Sequence, residues 1–405
     1  MSADHRLAAD VPPNERVPLD QVRDLIQLGL ALPFRVLDAQ ARLLLAQGQS
    51  VVTERQFDML NERGAWVEYA QVKRLRGERA AIAAGQGGGK VPSARHLTLF
   101  DRWEQQVWDY DALLRRVPKF QHMQPELEAF ADASIALIDR DPDVALYLAV
   151  RRDDRRFVLY ALTHALHVAT ICLLTARALA WPAERQRRLV CAALTMNVSM
   201  IELQAVLAEQ TDPPTLRQRE AIRLHPQLSA ELLRRCGVED AQWLDIVLTH
   251  HEEPGGGGYP NALAQPSEEA RLLRAADVYM AKISPRAQRA ALAPQVAARQ
   301  LYQAEQVDTL GKALSQALIR SIGIYPPGDL VTLKSGETAV VTRRAAQGPA
   351  PKVAVISDVR GNPSLATTPR DSAQPEFAIA SPLEPARAAQ LPKLQPERFY
   401  GIIPG

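Results

Sequence analysis

Helical periodicity dominates the middle of this chain and restricts it to a mainly α-helical fold. Between about residues 97 and 322, apolar residues recur at the three- and four-residue spacing of one helix face. The pattern is clearest over 157–179, and it stops at Trp181-Pro182 because proline cannot continue a helix. Further helices are predicted at 184–207 (with a break around 195–199), 215–236, 241–250 and 268–283, and two more within 294–322. We therefore expect a helical bundle.

The periodicity changes on both sides of this bundle. Short strands are predicted at 32–37, 42–46 and 65–69, with a helix starting at the capping-box sequence 53–56. A hairpin is predicted over 330–341, with further strands at 352–356 and 377–379. The expected segments are a disordered lead-in at 1–20, a small α/β module at 21–70, a flexible linker at 71–95, a helical domain at 96–328 and a β-rich appendage at 329–405.

Composition argues against several classes of function. Lys and Arg number 48 against 46 Asp and Glu, and the charged runs are mixed in sign, so the chain lacks a basic stripe for nucleic acid. No uninterrupted apolar run approaches the ~20 residues of a membrane span. The three cysteines lie in apolar helical surroundings, which is typical of reduced residues in a cytosolic protein. We expect a cytoplasmic protein that binds neither nucleic acid nor membrane.

The most informative segment for chemistry is His250-His251-Glu252, which is followed closely by Gly258-Tyr259-Pro260. Neighbouring side chains on a helix lie ~100° apart, so the two imidazoles can converge only where the helix ends. Histidine is the commonest metal ligand in proteins. Candidate ligands on several predicted helices resemble the inward-facing set of a di-metal site in a bundle core. The five candidates are His164, His225, His250, His251 and Asp277.

The order and local sequence of these residues resemble the HD-GYP family, a branch of the HD metal-dependent phosphohydrolases. The resemblance covers roughly 130–345 and rests on three motifs. They are the HHE…GxGYP segment at 250–260, the pair His225-Pro226, and the segment 276–284 with Asp277, followed by Arg286 and Arg289. The stretch 323–328 and the hairpin after it also look like the C-terminal end of the family.

The resemblance implies an HD-type helical bundle that hydrolyses cyclic di-GMP with two or three divalent metals, often iron or manganese. In the family's arrangement, His164, the HD dyad and Asp277 would hold one metal. The other three histidines would hold the second, and the dyad aspartate would bridge both. The loop Gly258-Tyr259-Pro260 is associated with contacts to GGDEF-type diguanylate cyclases, although it also fits a rigid turn that packs an aromatic ring. The remaining candidates are Ser284, Arg286 and Arg289. These side chains could contact a phosphate or could belong to a solvated face.

The chain departs from the family at the dyad itself. Met196 and Asn197 align with the expected histidine and aspartate, and Ser199 and Met200 align with the glycine and the phosphate-contacting lysine. A neutral asparagine does not offset the repulsion between two dications ~3.5–4 Å apart. A methionine thioether is poorly matched to iron(II) or manganese(II). We expect at most one metal, iron or manganese, at His225, His250 and His251, and the sequence is equally consistent with none.

Three functions remain open at this stage. We favour a degenerate HD-GYP-like protein, a regulatory or binding module in cyclic di-GMP signalling with weak or no phosphodiesterase activity. The first alternative is an active phosphodiesterase with a reduced metal site. The second is a protein-interaction scaffold that does not bind the nucleotide. In a degenerate site, His164 and Asp277 would be remnants joined by a hydrogen bond or ion pair in the old cavity.

Overall fold

The computed structural model describes residues 12, 15–51, 53–83, 98–151, 159–287, 289–345, 350–388, 391 and 396–400. The fold is mainly α-helical, as expected, with two small sheets. Its residues cluster into two compact units that divide between Ala112 and Leu113.

The first unit is a small α/β unit that extends beyond the module predicted at 21–70. Its strands are β1 (Arg16–Pro18), β2 (Val36–Leu37), β3 (Leu43–Leu45) and β4 (Trp66–Glu68), and its helices are α1 (Glu54–Glu62), α2 (Tyr69–Ala83) and α3 (Leu99–Leu114). The sheet has the order β1-β4-β2-β3 and is antiparallel throughout. The Thr53 side chain caps α1 by accepting a hydrogen bond from the backbone N–H of Gln56 at 3.1 Å.

Two expectations for this unit need correction. The end of the stretch expected to be a disordered lead-in is ordered, because β1 pairs with β4 and the following Leu19 is fully buried. The first part of the expected linker is helical, since α2 runs to Ala83. The glycine-rich sequence at 86–90 lies outside the described residues.

The helical bundle makes up most of the second unit. Its helices are α4 (Gln124–Arg140), α5 (Pro142–Val150), α6 (Tyr160–Ala178), α7 (Ala183–Thr195), α8 (Ile201–Glu209), α9 (Leu216–Arg235), α10 (Ala241–Thr249), α11 (Glu268–Ile283), α12 (Pro294–Ala304) and α13 (Thr309–Ile322). The break expected around 195–199 is present between α7 and α8. Residues 157 and 158, where the first helix of the motif was expected to begin, lie outside the described residues.

Helix α6 is the central helix of this bundle. It packs against α5, α7, α8, α11 and α13, and nearly all of its side chains are buried. By length and composition α6 also qualifies as a membrane span, although the sequence contains no uninterrupted apolar run that predicted one. However, 78% of its apolar window is buried inside the protein. Core helices of soluble proteins commonly have this composition.

A five-stranded antiparallel sheet follows the helices in the same unit. Its elements are β5 (Leu330–Leu333), β6 (Thr338–Arg343), β7 (Lys352–Ser357), β8 (Pro363–Asp371) and β9 (Ile379–Pro382), with short helices α14 (Pro385–Ala388) and α15 (Pro396–Phe399) after them. The strand order is β8-β7-β6-β5-β9. The expected hairpin is β5–β6, in which Leu330 pairs with Val340.

Candidate metal centre

One helix interior and one helix end bring three of the candidate histidines together. His225 lies in the middle of α9, whose start is fixed by a capping box between Thr215 and Gln218. His250 and His251 directly follow α10, whose start is capped by Asp240. Because α10 ends at Thr249, the two neighbouring imidazoles can turn toward the same point, as the sequence indicated.

The three histidines form a tight cluster. The potential ligand nitrogens of His225, His250 and His251 all lie within 4.8 Å of one another. This is the one such group of three or more ligand side chains among the described residues. The Nε2 atoms of His225 and His250 are 3.2 Å apart. His225 and His250 are buried, and His251 is partly buried.

Backbone carbonyls fix the tautomers of the two buried histidines. His225 Nδ1 donates to the carbonyl of Ile222 at 2.5 Å, and His250 Nδ1 donates to the carbonyl of Val247 at 2.7 Å. A carbonyl can only accept, so each Nδ1 carries the proton and each neutral ring keeps a lone pair on Nε2. Two lone pairs facing each other at 3.2 Å repel unless a cation or a proton lies between them.

The electrostatics of the cluster keep the imidazoles neutral. Burial and the adjacent His250 lower the pKa of His225 to about 3. Burial also lowers the pKa of His250, and burial and His250 hold the pKa of His251 well below its ordinary value. Neutral imidazole is the form that binds metal. Three neutral nitrogen ligands therefore converge at physiological pH without competition from bound protons.

The other two candidate ligands form a separate hydrogen-bonded pair. His164 Nε2 donates to Asp277 Oδ1 at 2.7 Å. Burial would raise the pKa of Asp277, but its hydrogen bond with His164 and its electrostatic interactions with His164, His251 and His250 lower it. His164 Nδ1 is buried and has no hydrogen-bond partner among the described residues. The Tyr160 ring stacks on His164, with centroids 5.4 Å apart.

The segment between α7 and α8 holds the residues at the dyad positions. Met196 is fully buried, and Asn197 is 9% exposed. Within the described part of the chain, the Asn197 side chain makes no hydrogen bond. Ser199, by contrast, is well anchored, because its Oγ donates to the carbonyl of His225 at 3.1 Å and pairs with Ser229 Oγ at 2.8 Å.

The Gly-Tyr-Pro loop packs directly against the histidines. The Tyr259 ring stacks on His251, with centroids 4.7 Å apart, and the Tyr259–Pro260 peptide bond is cis. Glu252 is almost fully buried and accepts hydrogen bonds from the backbone N–H groups of Asn261 at 2.6 Å and Leu263 at 2.9 Å. The loop is therefore attached to the residue next to His251.

The three candidate phosphate contacts lie at and beyond the end of α11. Ser284 is the residue that follows this helix. The Arg286 guanidinium donates to Tyr160 Oη, with Nη2 at 2.8 Å and Nε at 3.1 Å. Arg289 donates to the carbonyl of Ala281. Arg286 is thus linked through Tyr160 to the His164–Asp277 pair.

Two contacts of the site were not predicted from the sequence. Tyr160 was given no role, although a tyrosine one turn before His164 lies on the same helix face. Glu252 was also given no role. A carboxylate beside a sharp turn indicates an anchored loop, because a buried carboxylate requires hydrogen-bond partners.

The cluster of His225, His250 and His251 fits one metal. Three imidazole nitrogens with converging lone pairs match the ligand number of mononuclear sites with an open position. His164 and Asp277 are hydrogen-bonded to each other, and the asparagine at the bridging position has no charge. A metal would therefore be held by His225, His250 and His251.

Comparisons with known proteins agree with this geometry. The family described as the HD domain matches residues 145–312, the segment that contains all five candidate ligands. The cyclic di-GMP phosphodiesterase PA4108 of Pseudomonas aeruginosa is 31% identical over 184 residues, which are 45% of this chain and 44% of that protein. The chain thus matches less than half the length of this relative.

A solved structure is also similar. It is Bd1817, an HDG"Y"P protein from Bdellovibrio bacteriovorus, with 15% identity and a TM-score of 0.45, covering 75% of this chain and 97% of that chain. The family match covers the helices that carry the histidine cluster. These findings identify an HD domain at residues 145–312 and support the resemblance of the chain to the HD-GYP family.

Proposed function

We propose that this chain is a degenerate HD-GYP-like protein that serves in the cytoplasm as a regulatory or binding module in cyclic di-GMP signalling, with weak or no phosphodiesterase activity. One observation carries the proposal. The position of the bridging aspartate holds the uncharged Asn197, while the one carboxylate in the candidate ligand set, Asp277, is hydrogen-bonded to His164.

The histidine cluster retains the capacity to hold one divalent metal. Iron and manganese are the two candidates for this single metal, and iron suits imidazole ligands better than manganese does. When bound, such a metal supplies a positive charge that polarises a phosphoryl oxygen. The protein residues hold the three nitrogens in place, and the stacked Tyr259 ring covers one face of His251.

Cyclic di-GMP is the proposed ligand because the matched relative is a cyclic di-GMP phosphodiesterase. Arg286 and Arg289 supply positive charge near the end of α11, where a phosphate of the ligand would bind. The substitution of lysine by Met200 removes one expected phosphate contact. Binding is therefore proposed to persist with reduced affinity.

The main test measures metal content, cyclic di-GMP binding and cyclic di-GMP turnover on one preparation of the purified protein. We expect no more than one metal per chain, a binding signal in calorimetry and little turnover. The variant Met196→His/Asn197→Asp restores the dyad and should gain a second metal and measurable hydrolysis.

Two outcomes would favour the alternatives. Robust metal-dependent hydrolysis by the wild-type protein, abolished in His250→Ala, would identify an active phosphodiesterase with a reduced site. No heat in calorimetry at high cyclic di-GMP concentration would favour the interaction scaffold.

We also propose that the Gly-Tyr-Pro loop contacts a GGDEF-type diguanylate cyclase. Exposed side chains at 261–265 directly follow the anchored turn and support this assignment. Leu263, at 37% exposure, is a suitable probe, and Leu216 on α9, at 80% exposure, is a matched control. Leu263→Glu should weaken binding to a purified cyclase, whereas Leu216→Glu should not. Equal effects of both variants would contradict a specific contact through the loop.

A further inference from the structure

Pro226 lies inside α9, where proline is normally excluded. Its ring nitrogen carries no hydrogen and cannot donate to the carbonyl four residues earlier in the helix. That carbonyl belongs to Ile222. A helix interior ordinarily has no unpaired carbonyls, so the proline creates an acceptor that would not otherwise exist at this position.

The freed acceptor is used by the residue just before the proline. The carbonyl of Ile222 accepts the hydrogen bond from His225 Nδ1 at 2.5 Å. This bond places the proton of His225 on Nδ1 and leaves the lone pair on Nε2, the atom 3.2 Å from Nε2 of His250. The missing N–H of Pro226 therefore accounts for both the tautomer and the direction of the His225 ring.

His250 reaches the same state without a proline. Its acceptor, the carbonyl of Val247, lies in the last turn of α10, where carbonyls have no partner within the helix. His225 lies ten residues before the end of α9 and has no such helix end available. The two histidines therefore obtain equivalent anchors from two different sources of unpaired carbonyls.

The backbone at His225 is also held in place from the other side. Ser199 Oγ donates to the carbonyl of His225 at 3.1 Å, and the Ser199 N–H donates to Ser229 Oγ at 3.2 Å. The main chain is thus fixed, and the orientation of the ring depends on the bond at Nδ1.

We propose that Pro226 is a positioning residue of the metal centre, which presents His225 Nε2 to the metal by withholding a backbone donor from the carbonyl of Ile222. The inference rests on the proposed metal binding by the histidine cluster. It assigns to the proline a role distinct from shaping the helix, and the two roles predict different behaviour.

The experiment compares Pro226→Ala with Pro226→Gly in the full chain. Both variants restore the N–H at position 226, which then competes with His225 Nδ1 for the carbonyl of Ile222. Alanine favours the helix and glycine does not. We expect the affinity for Co²⁺, measured by absorbance titration, to fall about 10- to 100-fold in both variants, as for other residues that orient a metal-ligating histidine. Thermal unfolding of the metal-free protein should show higher stability for the alanine variant than for the glycine variant.

A second readout needs no metal. NMR of metal-free protein labelled with ¹⁵N-histidine should show His225 protonated on Nδ1 in the wild type and shifted toward the Nε2–H form in both variants. His225→Gln identifies the resonances. A wild-type protein that binds no Co²⁺ would count against the proposed function, while the tautomer would still test the role of Pro226.

Two results would overturn the proposal. One is an unchanged tautomer and an unchanged Co²⁺ affinity in both variants. The other is an affinity that follows helix stability, rising with alanine and falling with glycine, since that pattern assigns the proline to the shape of α9 alone.

Discussion

At the scale of single residues, Gly258 shows how little space separates the loop from the histidines. A Cβ atom at this position would lie 2.4 Å from the Glu252 Cα and 2.5 Å from the carbonyl oxygen of His251. Backbone atoms cannot move aside as a flexible side chain can. The glycine is therefore required by close packing of main chain against main chain.

The first prediction concerns this glycine. Gly258→Ala should displace the loop, lower the free energy of unfolding by about 1–3 kcal/mol and weaken metal binding. Gly257→Ala is the matched control, because its Cβ would approach only the Glu253 side chain, with the carboxylate at 3.3 Å. Chemical denaturation of both variants decides the matter, and equal stability losses would show that the loop does not depend on Gly258.

The second prediction concerns the buried Glu252 carboxylate. Glu252→Gln replaces one acceptor oxygen by an NH₂ group that must face a backbone N–H. We expect a loss of about 1–3 kcal/mol in unfolding free energy, because one buried donor at Asn261 or Leu263 is left without an acceptor. Glu253→Gln changes a partly exposed side chain nearby and should cost less. A greater loss in the Glu253 variant would contradict the assigned role.

Residue chemistry was only partly predictable from the sequence. The grouping of His225, His250 and His251 was implied by the resemblance to the HD-GYP family, in whose arrangement these three positions share one metal. The contact of Tyr160 with Arg286 joins positions 126 residues apart, and no local pattern reports such a contact. The partner of Pro226 was also invisible, because a proline in a helical pattern normally signals a break.

At the scale of elements, α10 is the short helix that delivers His250 and His251. Asp240 begins it by accepting hydrogen bonds from the backbone N–H groups of Gln242 at 3.0 Å and Trp243 at 2.9 Å. The same carboxylate accepts a hydrogen bond from Arg188 on α7, at 2.8 Å. One side chain thus fixes both the start of α10 and its attachment to the neighbouring helix.

The third prediction tests this anchor. Asp240→Ala removes the cap and the ion pair together and should lower the free energy of unfolding by about 1–2 kcal/mol. Glu184→Ala removes the other partner of Arg188, a side chain that is 83% exposed, and should have little effect. Thermal unfolding measures both, and a negligible loss in Asp240→Ala would contradict the assignment.

The fourth prediction concerns pH. Although burial raises it, hydrogen bonds from Arg188 and from the start of α10 leave the pKa of Asp240 below its ordinary value of 3.8. A depressed pKa contributes stability that is present above the unfolded-state pKa and is lost as the pH falls through the folded-state pKa. The stability difference between wild type and Asp240→Asn should therefore be constant near neutral pH and shrink below about pH 4. Urea titrations at several pH values measure this difference in unfolding free energy. A difference that grows on acidification would contradict the prediction.

At the scale of the whole molecule, the C-terminal sheet is continuous with the helical unit. Arg344 follows β6 and bonds to two helices, with Nε donating to Asp143 Oδ1 on α5 and Nη1 donating to the carbonyl of Ser321 on α13, both at 2.6 Å. Tyr400 adds a hydrogen bond to the carbonyl of Thr342 at 2.9 Å. The segment predicted as an appendage is therefore built into the same unit.

The fifth prediction follows from this attachment. Arg344→Ala should cost about 1–3 kcal/mol of unfolding free energy, because it removes the hydrogen bonds to Asp143 and to the carbonyl of Ser321. Arg343 pairs with Asp141 but is 41% exposed, so Arg343→Ala should cost about 1 kcal/mol or less. Calorimetry of the two variants tests this prediction. A larger loss of stability for Arg343→Ala would show that Arg343, and not Arg344, attaches the sheet to the helices.

The overall architecture was largely predictable because helical and strand periodicities are local. The strands that escaped prediction, β1 and β8, both contain proline, which argues against a strand in the middle of a sheet. The structure places both at sheet edges, where proline is tolerated. Sequence patterns reveal that a strand contains proline, but the order of strands in a sheet is set by distant residues.

The attachment of the loop through Glu252 has a consequence for communication between the centre and the surface. The candidate ligand His251 and the loop at 258–263 are joined both by the covalent chain and by the stacked Tyr259 ring. A partner that binds this loop would therefore also change the position of a candidate metal ligand. By thermodynamic linkage, whatever factor metal occupancy applies to the affinity of that partner, the partner applies to the affinity for the metal. The affinity of such a protein for its partner would depend on metal occupancy, without the turnover of any substrate.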